Sequence, residues 1–187
     1  TEGVSGYIEV VGNTVLDNLC GLKTSDGKKV LVTLHRRENH TMMEEWFKEI
    51  ERVSKNYNYE FMLPIHPNPH VSRHQSILKN VKVVGPMAHP ELLQYLADCT
   101  FVITDSGGIQ EEASFLKKPC VVCRKKTERV EGLNNFSLLC ESPSLLSEKI
   151  EQALVLKMEG PCPYGDGNSS EKIVQVVKEF FQIRRSG

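Results

Sequence analysis

The sequence contains no apolar run approaching the roughly 20 residues of a membrane-spanning helix, so no membrane association is expected. It also lacks an excess of charge of one sign: 23 Lys and Arg against 24 Asp and Glu leave a net charge of -1. A basic surface built for nucleic acid is therefore not expected. The first residues, TEGVSGYIEVVGN, lack the basic-then-apolar pattern of a signal peptide. There is no G-x-x-x-x-G-K-[ST] loop and no G-x-G-x-x-G fingerprint, so neither ATPase nor dinucleotide chemistry follows. One C-x-x-C is present, Cys120 and Cys123, but no second ligand pair stands at a zinc-like spacing. No metal site is expected. Internal repeats and low-complexity segments are absent as well.

What is present is an ordinary globular composition in 187 residues, enough for one domain with a real core. The six cysteines include several inside apolar runs such as PCVVC and FSLLC, which read as buried free thiols in a reducing compartment. A cytoplasmic location is expected. Short apolar runs alternate with longer amphipathic stretches. The predicted strands are 28–34, 59–65, 81–85, 100–105, 119–124 and 135–140. Helices are predicted at 42–55, 70–78, 90–99, 109–118, 143–157 and 171–185. Met43, Trp46, Phe47, Ile50 and Val53 have helical spacing, with Thr41 as N-cap and Glu44 as its capping-box partner. Segments 1–28, 125–134 and 159–170 are expected to be the most loosely held. Such alternation predicts an α/β fold: a mostly parallel sheet between two layers of helices.

In open α/β sheets, ligands bind beyond the carboxyl ends of the strands. The residues following the predicted strands are His35-Arg36-Arg37-Glu38, His66-Pro67-Asn68-Pro69, Gly85-Pro86-Met87, Asp105-Ser106-Gly107-Gly108 and the Arg124 to Arg129 stretch. Asp105 to Gly108 has the clearest mechanics. Two glycines at a helix start let a phosphate approach backbone N–H groups, and the helix dipole favours the anion. Ser106 adds a hydroxyl, and Glu111 and Glu112 could accept hydrogen bonds from ribose hydroxyls. The plainer reading is a tight turn capped by serine. His35 could move a proton near neutral pH, and Arg36 and Arg37 could grip a diphosphate. Equally, His35 could pack under the rim while the two arginines pair with Glu38. His66 alone reads as structural, Arg129 as a solvated charge, and Trp46 as a core anchor.

The motifs together resemble one known family. Gly12 to Asp17, His35-Arg36-Arg37-Glu38-Asn39, Asp105 to Ala113 (DSGGIQEEA), Lys118-Pro119, Thr127-Glu128-Arg129 and Tyr164 to Gly167 match the C-terminal domain of non-hydrolysing UDP-N-acetylglucosamine 2-epimerases. The resemblance covers nearly the whole chain and implies a GT-B-like enzyme in which two Rossmann-like domains close on a UDP-sugar. Residues 1–187 would form the UDP-binding half, with the N-terminal domain absent. The family interconverts UDP-GlcNAc and UDP-ManNAc by eliminating and re-adding UDP, without metal or nicotinamide cofactor. The resemblance assigns the diphosphate to Ser106, Gly107 and Gly108, the ribose to Glu112, and phosphate or sugar to Arg129. His35 would assist departure of UDP. Arg36 and His66 would touch nucleotide, either here or at a regulatory second substrate site. Three positions depart from the pattern: Met87, often Gln, and Leu92, often aromatic, both near the uracil, and Val130, usually Pro. The full enzyme would be a homodimer, and this chain alone would lack activity. Two alternatives remain on sequence: the donor domain of a GT-B glycosyltransferase, and a non-catalytic UDP-sugar sensor.

Overall fold

Parallel pairing throughout the sheet is the main architectural result. In the computed structural model, which describes residues 6–185 and side chains as far as 181, the strands are β1 (Lys29–Thr33), β2 (Glu60–Pro64), β3 (Lys82–Val84), β4 (Cys99–Thr104), β5 (Cys120–Val122) and β6 (Ser137–Leu139). They lie in the order β3-β2-β1-β4-β5-β6, each neighbour pair parallel. The chain winds outward from β1 to β3, then returns to place β4 beside β1. That return opens a crevice at the carboxyl ends of β1 and β4, where doubly wound sheets of this Rossmann order bind their ligands. Residues 1–5 of the segment expected to be loose, and 186–187 of the proposed domain, lie outside the described residues.

Alternation along the strands supplies two cores. Val30, Val32, Phe101 and Ile103 face α1 (Met43–Ser54) and α5 (Leu146–Leu154), with Trp46, Phe47 and Ile50 filling the layer. Leu31, Val102 and Val122 face α3 (His89–Ala97), α4 (Gly107–Phe115) and the 3-10 turn Thr14–Leu19. Strands apolar on both faces require helices on both sides, which gives the predicted three layers.

Several boundaries differ from the sequence reading. A 3-10 turn, Arg37–Met42, runs directly into α1, so the N-cap is Met42 without a side-chain bond and Thr41 does not cap. The predicted helix 70–78 is broken into α2 (Pro69–Ser72) and a 3-10 turn, Gln75–Ile77. Beyond the break, Glu51 Oε2 accepts from the N–H groups of Lys79 and Asn80, both at 2.9 Å, and draws the chain against α1. The predicted helix 143–157 starts as a 3-10 turn at Pro143–Leu145 and becomes α-helical at Leu146.

The last helix, α6 (Ser169–Arg185), is held from far away in sequence. Asp17 accepts from Ser169 N at 3.0 Å and Ser170 N at 2.8 Å, satisfying the first amide groups of the helix. Val174, Val177, Phe180 and Phe181 on this helix are about half exposed. No helix among the described residues is long and apolar enough to cross a membrane.

Candidate functional site

Asp105 organises the rim at the crevice. It directly follows β4, is fully buried, and accepts from His35 N (2.9 Å), Arg36 N (2.8 Å) and Asn39 Nδ2 (3.0 Å). Asn39 Nδ2 also donates to the Cys123 carbonyl, and its Oδ1 accepts from Trp46 Nε1 at 3.2 Å. Trp46 is thus a core anchor that also fixes a polar group of the rim. This chain of contacts explains why the loop after β1 turns helical early: its one buried amide side chain is needed deep in the crevice.

His35 is half-buried, and its Nδ1 stands 3.6 Å from Asp105 Oδ1. Burial lowers its pKa from the ordinary imidazole value, and the Asp105 carboxylate opposes that shift. The ring stacks on His66 with centroids 5.4 Å apart and planes 14° off parallel. This stacked pair is a shared wall. On one side lies a cavity of about 250 Å³ lined by Met87, Leu92, Ser106 and Ile109 as well as the two histidines. On the other lies a more open one of about 570 Å³ lined by Arg36, Arg37, His40, Asn68 and Arg124. Glu38 pairs with Arg124 at 2.7 Å rather than with Arg36 or Arg37.

The start of α4 supplies the complementary half. Ser106 is its N-cap in backbone conformation, yet its side chain makes no capping bond, so the hydroxyl is not engaged in the serine-capped turn of the plainer reading. Gly107 has a definite reason to be glycine. A Cβ there would stand 2.8 Å from Arg129 Cζ, so the guanidinium packs flat against the helix start. At Gly108 an added Cβ would meet only Ser106 Oγ, at 3.9 Å, which leaves the helix end open. Free N–H groups, the helix dipole and a guanidinium therefore coincide.

Arg129 is held by a carboxylate relay. Its Nε donates to Glu111 at 2.7 Å, and its Nη1 to Glu128. Glu128 also takes Arg124 Nη1 at 2.8 Å, and Glu111 takes Asn13 Nδ2. Gln110, fully buried, donates to the Arg129 carbonyl at 3.1 Å and accepts from Thr127 at 2.9 Å. Tyr164 donates to the same carbonyl at 3.0 Å and accepts from Gly132 N at 3.1 Å. Gly132 must be small, because a Cβ would lie 2.5 Å from the Tyr164 oxygen. Burial raises the Tyr164 pKa to about 12, so the phenol keeps its donor proton. Segments 12–17, 125–134 and 159–170 are thereby tied to one another.

Glu112 is 3% exposed. One oxygen, Oε1, meets His89 Nε2 at 2.9 Å, while Oε2 is buried without a partner. Burial raises its pKa and His89 opposes the rise.

The C-x-x-C pair lies inside the core. Cys120 and Cys123 are fully buried, and burial pushes both far above the ordinary thiol range, away from the reactive thiolate. Cys99 is pushed up to about 12 by burial. Among the described residues, no group of three or more His, Cys, Asp or Glu side chains is disposed to hold a metal ion.

A family model described as UDP-N-acetylglucosamine 2-epimerase matches residues 1–178. The chain belongs to the UDP-N-acetylglucosamine 2-epimerase family. A UDP-N-acetylglucosamine 2-epimerase of Methanococcus maripaludis is 35% identical over 205 residues, covering 94% of this chain and 56% of the relative. A S. aureus structure containing UDP is 31% identical with a TM-score of 0.83, covering 97% of this chain and 56% of that one. The Methanocaldococcus jannaschii UDP-GlcNAc 2-epimerase, solved with UDP-GlcNAc and UDP, gives 29% identity and a TM-score of 0.79, covering 95% and 57%. The chain thus spans about half the length of the relatives it matches. Its sheet is one Rossmann-like half of a GT-B-like fold.

Within that family frame, the structure brings His35, His66, Met87, Leu92 and Ser106 onto one cavity. Gly107 and Arg129 meet at the adjacent helix start, and Arg36 lines the larger cavity across the histidine wall. Sequence reasoning passed over Asp105, Asn39 and Gln110 as positioning residues, and over His89. Asp105 and Gln110 lie inside DSGGIQEEA, so their motif was visible while their partners were not.

Proposed function

We propose that this chain is the nucleotide-gripping half of an isomerase that interconverts UDP-GlcNAc and UDP-ManNAc. The observation that carries this reading is the open start of α4 at the β1/β4 crevice, with the Arg129 guanidinium packed on Gly107. The diphosphate lies against the Ser106 hydroxyl, the Gly107 and Gly108 N–H groups and Arg129. Glu112 takes the ribose. The uracil enters the cavity of about 250 Å³ beside Met87, Leu92 and His66. Arg36 and the larger cavity, on the far side of the histidine wall, belong to the regulatory site for a second nucleotide sugar.

In the reaction, a base removes the proton at C2 while the C1–oxygen bond to UDP breaks, giving 2-acetamidoglucal and UDP. UDP then adds back to C1 as a proton reaches the opposite face of C2. Negative charge grows on the departing diphosphate, where the α4 start and Arg129 stabilise it. His35, beside the same crevice, donates to the leaving oxygen, and Asp105 steadies the ring. The C2 base and the second wall of the cleft come from the other half of the enzyme, an N-terminal domain or partner subunit. The complete enzyme is a homodimer. A cytoplasmic setting agrees with six free thiols. The glycosyltransferase alternative has only the shared fold in its favour.

Incubation with UDP-GlcNAc and no acceptor tests the reading. The chain binds the nucleotide sugar and leaves it unchanged, and supplying the other half restores formation of UDP-ManNAc. Turnover that requires an added sugar acceptor would replace this reading with a glycosyl transfer.

A further inference from the structure

His89 opens α3, and Glu112 lies in the second turn of α4. Leu92, one turn after His89, and Ile109, one turn before Glu112, both line the smaller cavity. The pair therefore sits on the two helix stripes that flank that cavity. The ring is half exposed and the carboxylate is almost wholly buried. The groups facing Glu112 are His89 from α3 and Glu111 from its own helix. The positive charge of Arg129 is bound to Glu111 and Glu128, and Glu112 Oε1 takes its hydrogen bond from His89. Glu112 Oε2 remains a buried acceptor without a partner. A buried carboxylate oxygen left in that state is costly unless a ligand donor completes it.

We propose that His89 is a positioning residue that holds Glu112 Oε1, leaves Oε2 as the acceptor for a ribose hydroxyl, and so selects ribonucleoside over deoxyribonucleoside diphosphates. This deepens the nucleotide reading above and rests on it. A carboxylate whose first oxygen is released rotates, and its discrimination falls. Removing His89 also removes the group that opposes protonation of Glu112, so the anion survives only to a higher pH limit.

Calorimetric titration of UDP and of its 2′- and 3′-deoxy forms into the full chain tests this, using His89→Leu and His89→Gln. The wild-type chain is expected to bind at least one deoxy form roughly tenfold more weakly than UDP, as for loss of one charge-assisted hydrogen bond. In His89→Leu, UDP weakens by about tenfold and the ribose preference shrinks to within about twofold. His89→Gln, whose amide can donate, recovers the preference. As pH falls, UDP affinity is lost at a higher pH in His89→Leu than in wild type, because Glu112 takes up its proton earlier. Full ribose preference and an unshifted pH profile in His89→Leu would overturn the role of His89 alone. A His89→Gln chain that behaves as His89→Leu would reduce the residue to packing and also overturn it. Failure of a folded wild-type chain to bind UDP at all would remove the nucleotide reading, and this inference with it.

Discussion

Asp105 and Glu112 stand on either side of the start of α4, both carboxylates nearly or wholly buried, and their surroundings differ completely. Asp105 has donors from His35, Arg36 and Asn39, two of them backbone amides of the loop it shapes. Glu112 has one donor, His89, and one oxygen with none. A carboxylate saturated by its own protein can only position its neighbours. One that is buried and half satisfied can still receive a ligand. The same residue chemistry thus serves as scaffold at one end of the motif and, in the proposed reading, as a binding group at the other.

The comparison breaks most readily by removing each carboxylate in turn. Asp105→Ala strands two half-buried N–H groups and a buried amide, so chemical denaturation is expected to show a loss of about 3 kcal/mol. Glu112→Ala strands only one half-exposed histidine and is expected to change stability by less than about 1 kcal/mol while weakening UDP binding. Equal stability losses in the two variants would erase the distinction.

Arg129→Ala sharpens it on the ligand side. Loss of a guanidinium at the proposed anion site is expected to weaken UDP by roughly tenfold to a hundredfold in calorimetry, as for one charge-assisted contact. The variant also leaves Glu111 with Asn13 as its side-chain hydrogen-bond donor among the described residues, so a modest fall in melting temperature accompanies it.

A smaller effect is expected for Trp46→Phe. The ring still fills the core between α1 and the sheet, but Asn39 Oδ1 loses its donor, for about 1 kcal/mol in denaturant unfolding. If the cost came from Trp46 packing alone, Asn39→Ala in the same background would add its full effect. Shared membership in the Asp105 network makes the two less than additive.

The smallest expected effect is a titration. Burial holds His35 below the ordinary imidazole value and Asp105 pulls it back up. In Asp105→Asn the upward influence is lost, so the His35 midpoint followed by NMR is expected to fall further. An upward shift would mean that Asp105 does not act on the ring as the geometry states.

The sheet was legible because each strand is a short run of β-branched and apolar residues, with the alternation of Val30-Leu31-Val32 serving both cores. Ser106 to Gly108 stood out as types, since glycines and a serine at a strand end have few core uses, whereas Arg129 stood out only through the family resemblance. What could not be read was set by contacts distant in sequence. Thr41 looked like a cap because nothing local reveals that Asn39 is drawn into the crevice by Asp105, 66 residues later. The helix 70–78 was overextended: the chain breaks at Arg73 and His74, and Glu51, on another helix, holds the segment that follows. His89 passed unnoticed because its significance exists only where α3 meets Glu112 on α4. Tyr164 was legible as part of a motif, while its role as a pin on the Arg129 carbonyl needed the folded chain.

The most direct measurement is calorimetric titration of UDP into this chain, with Arg129→Ala and Glu112→Ala beside it. The account predicts binding by the wild-type chain that weakens in both variants, since one removes the phosphate charge and the other the ribose acceptor. Absence of binding at millimolar UDP, or binding that neither substitution alters, would contradict it.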